Sequence, residues 1–177
     1  MKKDLQDSLF EKYPKLFRDI KYLGCDDGWY ELIATMCHQI QGHISNTRNG
    51  AARTKRYNRA LKQALSGNLS NLEYYYRSSP DKDKMIAKEI EMRTFRTVWL
   101  DRIPTQMHFT QIKEKFGTLR AYTVGGDAYC EGVVAMAEGI SSKTCEGCGL
   151  PGRSTKSGWI KTLCKECTNE RYKPRTI

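Results

Sequence analysis

Two cysteine pairs, Cys145-x-x-Cys148 and Cys164-x-x-Cys167, stand fifteen residues apart and constrain the chain more than any other feature. A two-residue gap lets both thiolates of a knuckle face one ion, Gly147 and Gly149 permit the tight backbone, and the overall spacing is that of a four-cysteine zinc site. Two disulfides or an iron centre are the competing uses of such a set. Pro151-Gly152 and Ser157-Gly158 are turn signals that predict a short hairpin between the pairs. The run after Cys164 is helix-compatible, which places the second pair at the favourable end of a helix dipole. Knuckle, hairpin and helix together predict a treble-clef-like finger; a zinc ribbon, with no following helix, is the alternative. Four thiolates leave no open coordination position, so one Zn2+ would be structural. Its binding free energy, roughly 10–16 kcal/mol, folds segments too small for their own core.

The chain has 177 residues, enough for one domain or one plus an appendage, and its 39% hydrophobic content is that of a globular protein. The first residues are charged and lack a signal peptide's apolar stretch, and no apolar run reaches the roughly 18 residues of a membrane helix. An intracellular chain with an odd cysteine count, seven, directs attention to metal and away from bridges. Cys37 and Cys130 fall on apolar stripes as small hydrophobes. Cys25 lies in a turn with nothing beside it in sequence to activate its thiol.

The net charge of +10 is segregated. Residues 46–100 hold twelve Lys/Arg against five Asp/Glu, residues 141–177 hold eight against three, and the remainder is near neutral. Two basic blocks separated by neutral scaffold predict a polyanionic partner, most simply nucleic acid. A solvated basic surface is the bland alternative.

Leu5, Leu9, Phe10, Leu16 and Phe17 predict a short amphipathic start interrupted at Pro14. Within Gly24-Cys25-Asp26-Asp27-Gly28-Trp29, Asp26 or Asp27 serves as N-cap of a helix whose stripe is Trp29, Leu32, Ile33, Met36, Cys37, Ile40 and Ile44. Asn46-Thr47-Arg48-Asn49-Gly50 reads as a turn-forming break. Beyond it, Lys55, Arg56, Arg59 and Lys62 share one helical face, and Tyr57, Ala60, Leu61, Ala64 and Leu65 the other. Ser66-Gly67-Asn68 ends that helix and Tyr74-Tyr75-Tyr76 follows. Ser79-Pro80-Asp81 opens another, with Glu89 and Arg93 spaced as a surface pair. Residues 106–124 predict a hairpin with Gly117 near its turn, and Gly125-Gly126-Asp127 caps a helix with stripe Cys130, Val133, Val134, Ala137 and Ile140. The expected organisation is an α+β core over 1–140, a helices-plus-hairpin fold carrying 46–100 as a basic helical insertion, followed by the four-cysteine finger at 141–177.

On Gly24 to Trp29, on Gln111-Ile112-Lys113-Glu114-Lys115-Phe116-Gly117-Thr118-Leu119-Arg120-Ala121-Tyr122, on Gly125-Gly126-Asp127, on Thr144-Cys145-Glu146-Gly147-Cys148-Gly149-Leu150-Pro151-Gly152 and on Gly158-Trp159-Ile160-Lys161-Thr162-Leu163-Cys164, the chain resembles a group of uncharacterised phage and prophage proteins. The resemblance covers residues 1–45 and 105–170 and skips the basic insert. It implies phage origin and a life in the host cytoplasm, and carries no activity.

Other residues invite chemistry less strongly. His43 falls on the apolar stripe of its helix and His38 nearly opposite, so the two do not share a metal. Glu114, Arg120 and Asp127 surround the hairpin, where Glu114 and Asp127 could pair for acid-base work, but no nucleophile accompanies them. A treble-clef nuclease needs histidines in the finger, and none follows His108. The expected function is therefore non-enzymatic: binding of DNA or RNA with low sequence specificity through Lys55, Arg56, Arg59 and Lys62 and through Arg153, Lys156 and Lys161 of the finger. An inhibitor or adaptor docking on a host enzyme or defence complex is the alternative. No membrane partner is expected, and the sequence leaves the oligomeric state open.

Overall fold

In a computed structural model of the protein, which describes residues 1–98, 102–155 and 158–171, helix α1 (Lys3–Lys12) stops at Tyr13, directly before Pro14. The architecture is α+β, and the chain divides into two units: Met1–Ile44 with Pro104–Ile177, and Ser45–Ile103. A 3-10 turn at Asp27–Trp29 leads into α2 (Tyr30–Leu65). Neither aspartate caps it through a side chain: Asp27 accepts the Lys2 N–H at 2.6 Å, and Asp26 turns toward Lys161. The stripe is otherwise as the spacing predicts, with Trp29, Ile33, Met36, Cys37, Ile40 and Ile44 buried and Leu32 packed against them.

The expected break at Asn46–Gly50 does not occur, and α2 runs through it for 36 residues in all. A mid-helix Gly costs about 1 kcal/mol relative to Ala and Asn somewhat less, too little to stop a helix whose apolar stripes are buried on both sides of the segment. The real stop is the Schellman motif at Gly67 (φ +97°), where Gly67 N–H bonds to Ala64 O at 3.0 Å and Asn68 N–H to Gln63 O at 2.9 Å.

Helices α3 (Ser70–Tyr76) and α4 (Lys82–Met92) complete the second unit, whose core is Tyr57, Ala60, Leu61, Ala64, Leu72 and Ile86. Glu89 does not make the surface pair with Arg93 that its spacing suggests. Its carboxylate accepts the phenol O–H of Tyr57 at 2.5 Å and of Tyr76 at 2.8 Å, while Arg93 adopts the left-handed C-cap conformation. Two phenol donors at a half-buried site outweigh an exposed ion pair worth a few tenths of a kcal/mol.

In the first unit, β1 (His108–Lys115) and β2 (Thr118–Val124) form the hairpin, turning at Phe116 and Gly117, both at positive φ. A bulge between Phe109 and Gln111 shifts the alternation so that both Phe109 and Ile112 face the core, which an unbroken strand would forbid. Both hairpin edges are covered. Gly24 bridges to Lys113 on β1, with Gly24 N–H to Ile112 O at 2.9 Å and Glu114 N–H to Gly24 O at 2.8 Å. On β2, Leu119 N–H donates to Ser141 Oγ at 2.8 Å and Ala121 N–H to Glu138 Oε1 at 2.9 Å, both from α5 (Ala128–Ser141). Asp127 caps α5 by accepting Cys130 N–H at 3.1 Å. Cys130, Val133, Val134 and Ala137 are buried as expected, but Ile140 is exposed and Ser141 takes the inward place, because its hydroxyl holds the β2 edge.

Gln106 donates to Gln41 at 3.1 Å, so the segments that bracket the second unit lie together within the first. Replacing residues 45–103 with a short flexible linker is therefore expected to leave a chain with one cooperative melting transition. A broad, non-cooperative melt would show that the two cores depend on each other.

Candidate metal centre and basic face

The finger is built from two knuckles held by backbone bonds. Cys145 N–H bonds to Leu150 O at 2.7 Å and Gly149 N–H to Cys145 O at 2.8 Å, with Gly149 at φ +80° closing the first loop. Strands β3 (Arg153–Ser154) and β4 (Thr162–Leu163) form the short hairpin, and α6 (Lys165–Arg171) starts directly after Cys164. The Sγ atoms of Cys145, Cys148, Cys164 and Cys167 all lie within 4.8 Å of one another. Cys148 and Cys164 are 3.7 Å apart, close to the roughly 3.8 Å edge of a tetrahedron with 2.3 Å metal–sulfur bonds. Burial alone would raise the Cys145 thiol, but N–H groups of Cys164, Cys148 and Gly147 outweigh it and bring the thiol down to about 7. The donors fit a tetrahedral, thiophilic ion.

The first knuckle is keyed into the turn before α2. Gly28 N–H bonds to Glu146 O at 2.8 Å, and Trp29 Nε1 donates to Thr144 O at 2.9 Å. A Cβ on Gly28 would lie 2.3 Å from Cys145 O and 2.5 Å from the amide nitrogens of Cys148 and Gly149. Glycine is required here by close approach and not by dihedral freedom. The hairpin turn joins the same locus, with Thr162 Oγ1 donating to Gly117 O at 2.6 Å and Trp159 Nε1 to Glu114 at 3.1 Å.

Lys161, expected among the phosphate contacts, is engaged internally. Its Nζ lies 2.6 Å from Asp26 and 3.1 Å from Glu146, whose side chain is 1% exposed. Burial, with the Asp26 charge beside it, raises the Glu146 carboxyl above its ordinary range, against the pull of the ammonium. Arg153 is exposed on β3, and Lys156 lies outside the described residues.

Lys55, Arg56, Arg59 and Lys62 are all exposed on α2, opposite buried Tyr57, Ala60, Leu61 and Ala64. Arg56 and Arg59 line a cleft of about 540 Å³ with Arg53, Tyr74 and Tyr75. Tyr76 packs against the core instead, dividing the tyrosine triplet between cleft and interior. Arg53 is the member of this cleft that sequence reasoning misses, although it stands three residues before Arg56, a spacing that places it on the same helical side.

Glu114 and Asp127 do not pair. Glu114 accepts from Gly117 N–H at 2.6 Å and Trp159, Arg120 bonds to Glu138 at 3.1 Å, and Asp127 meets His43 at 2.8 Å. His38 is exposed, and His43 is half-buried at the edge of the core. Cys25 is buried and its thiol is pushed up to about 12, chiefly by desolvation, so it is not an activated nucleophile. Among the described residues, no helix is long and apolar enough to cross a membrane. No family model, curated protein or solved structure matches the chain.

Proposed function

We propose that this is a phage-encoded protein, stabilised by one structural Zn2+ in a treble-clef-like finger, that binds nucleic acid with low sequence specificity in the host cytoplasm and catalyses no reaction. The observation that carries the reading is the α2–α3 cleft, where three arginines stand beside two tyrosines with no carboxylate among its lining residues. Guanidinium groups take phosphate oxygens and tyrosine faces stack bases of any sequence, a combination suited to single strands. Zinc is assigned on four sulfur donors at tetrahedral spacing, and a closed set of thiolates supplies stability and no bound nucleophile. A following helix, α6, favours the treble-clef arrangement over a ribbon.

Replacing Lys55, Arg56, Arg59 and Lys62 together with Gln keeps helix propensity and removes up to four phosphate contacts. The slope of log affinity against log salt is expected to shrink by about 3–4 for duplex or about 3 for single strands, between about 50 and 200 mM salt. No binding by the wild type at low salt, or an unchanged slope in the variant, defeats the reading.

A second reading, docking on a host protein, is favoured by one feature. Phe116, Trp159 and Ile160 line a common apolar cleft of the first unit, with Phe116 74% and Trp159 69% exposed. If nucleic acid fails to bind, this surface is the place to test.

A further inference from the structure

We propose that His43, Asp127 and Cys130 form a second metal site, separate from the cysteine quartet, for a borderline divalent ion such as Zn2+ with water as its fourth ligand. One ligand atom from each residue lies within 4.8 Å of the other two, and His43 Nε2 stands 2.8 Å from Asp127 Oδ2. Asp127 and Cys130 are three apart across the first turn of α5, which brings their side chains to one side, and His43 reaches them from α2.

Two features hold the donors in place. The other carboxylate oxygen of Asp127, Oδ1, accepts the Cys130 N–H at 3.1 Å, so its orientation is fixed by the helix start in the way outer bonds orient metal ligands. The His43 ring stacks on Tyr129, centroids 4.2 Å apart and planes 27° from parallel. Nitrogen, oxygen and sulfur donors, three in number, are the set that holds zinc with one position open, and thiolate with imidazole disfavours Mg2+ and Ca2+. Cys130 is fully buried, while the side chains of His43 and Asp127 keep 26% and 33% exposure, which gives the ion an entry and water a route to the open position.

Charge and protons balance. Binding releases the Cys130 thiol proton to solvent and moves the neutral imidazole's proton to Nδ1, freeing the Nε2 lone pair. One thiolate and one carboxylate then neutralise the dication, which leaves no net charge at a half-buried site. Nothing in this depends on the nucleic-acid reading.

The test is a zinc titration of the untagged full chain against a chromophoric chelator, repeated with Co2+ for its thiolate charge-transfer absorption. The wild type is expected to take a second, weaker equivalent whose cobalt form carries a sulfur band. His43→Gln should weaken that equivalent by more than the 10–100-fold that loss of an outer partner costs. Exposed His38→Gln should leave it unchanged, and Cys130→Ser should abolish its sulfur band. His43 is half-exposed, so H43Q is expected to melt like the wild type and remains decisive even where C130S misfolds. Equal zinc number and affinity in the wild type and H43Q overturns the proposal, as does loss of the second equivalent in H38Q.

Discussion

Gly28→Ala is expected to destabilise the first unit by at least about 4 kcal/mol, beyond the roughly 1–3 kcal/mol of ordinary overpacking. The added methyl meets three backbone atoms of the first knuckle, the nearest at 2.3 Å, and backbone cannot rotate aside as a side chain can. Relief requires the turn and the knuckle to separate, which breaks the Gly28–Glu146 and Trp29–Thr144 hydrogen bonds and shifts Cys145 and Cys148 away from their partners. Gly42→Ala supplies the matched control. It lies in α2 with nothing within 4 Å of the added carbon and should gain up to about 1 kcal/mol. Denaturant melts of both variants decide the matter, and a Gly28→Ala chain within about 1 kcal/mol of the wild type would refute the interlocked arrangement.

If the quartet holds zinc as proposed, removing the ion is expected to have a larger effect still, since zinc held by four thiolates contributes on the order of 10 kcal/mol. The loss should spread well past the finger. Cys164→Ser, or stripping by a strong chelator, frees β4, and with it Thr162, which holds the hairpin turn at Gly117, and the Lys161 link to Asp26. Hydrogen exchange should therefore accelerate at Gly24–Trp29 and around Gly117 as well as across residues 144–171. The helices of Ser45–Ile103, with their own core, should keep their protection. Exchange confined to the finger would show that it hangs on the core and does not hold it together.

How much of this was legible in the sequence follows from range. The stripe of α2, the hairpin around Gly117, the Asp127 cap and the four-cysteine cluster rest on periodicity or on spacings of a few residues, and each is present. The segment Asn46–Gly50 misleads because turn residues carry a strong local signal but a small energetic penalty, which burial on either side overrides. Gly28, beside Asp27, reads as a turn glycine when its role is to let another backbone approach. Lys161 and Asp26 are 135 residues apart, and His43 and Asp127 are 84 apart, so no local pattern joins them. An internal salt link and an exposed phosphate contact use the same lysine, and only its neighbours, Asp26 and the buried Glu146, distinguish them.

The interlock between Gly28 and the first knuckle also sets the order in which a growing chain can fold. Trp29 and the stripe behind it leave the ribosome long before α5, whose Ala137 is the last core residue clustered with them, and before Thr144, which accepts the Trp29 indole N–H. At about 5–20 residues per second, the 100 residues from Ser45 to Thr144 take about 5–20 s to synthesise. Within that interval Ser45–Ile103 has every residue of its own core once α4 is made, and it can fold while the flanking sequence waits. The N-terminal stripe is thus a nascent-chain client for whatever shields apolar surface in the cell, and a stall in translation before α5 is complete leaves it uncovered.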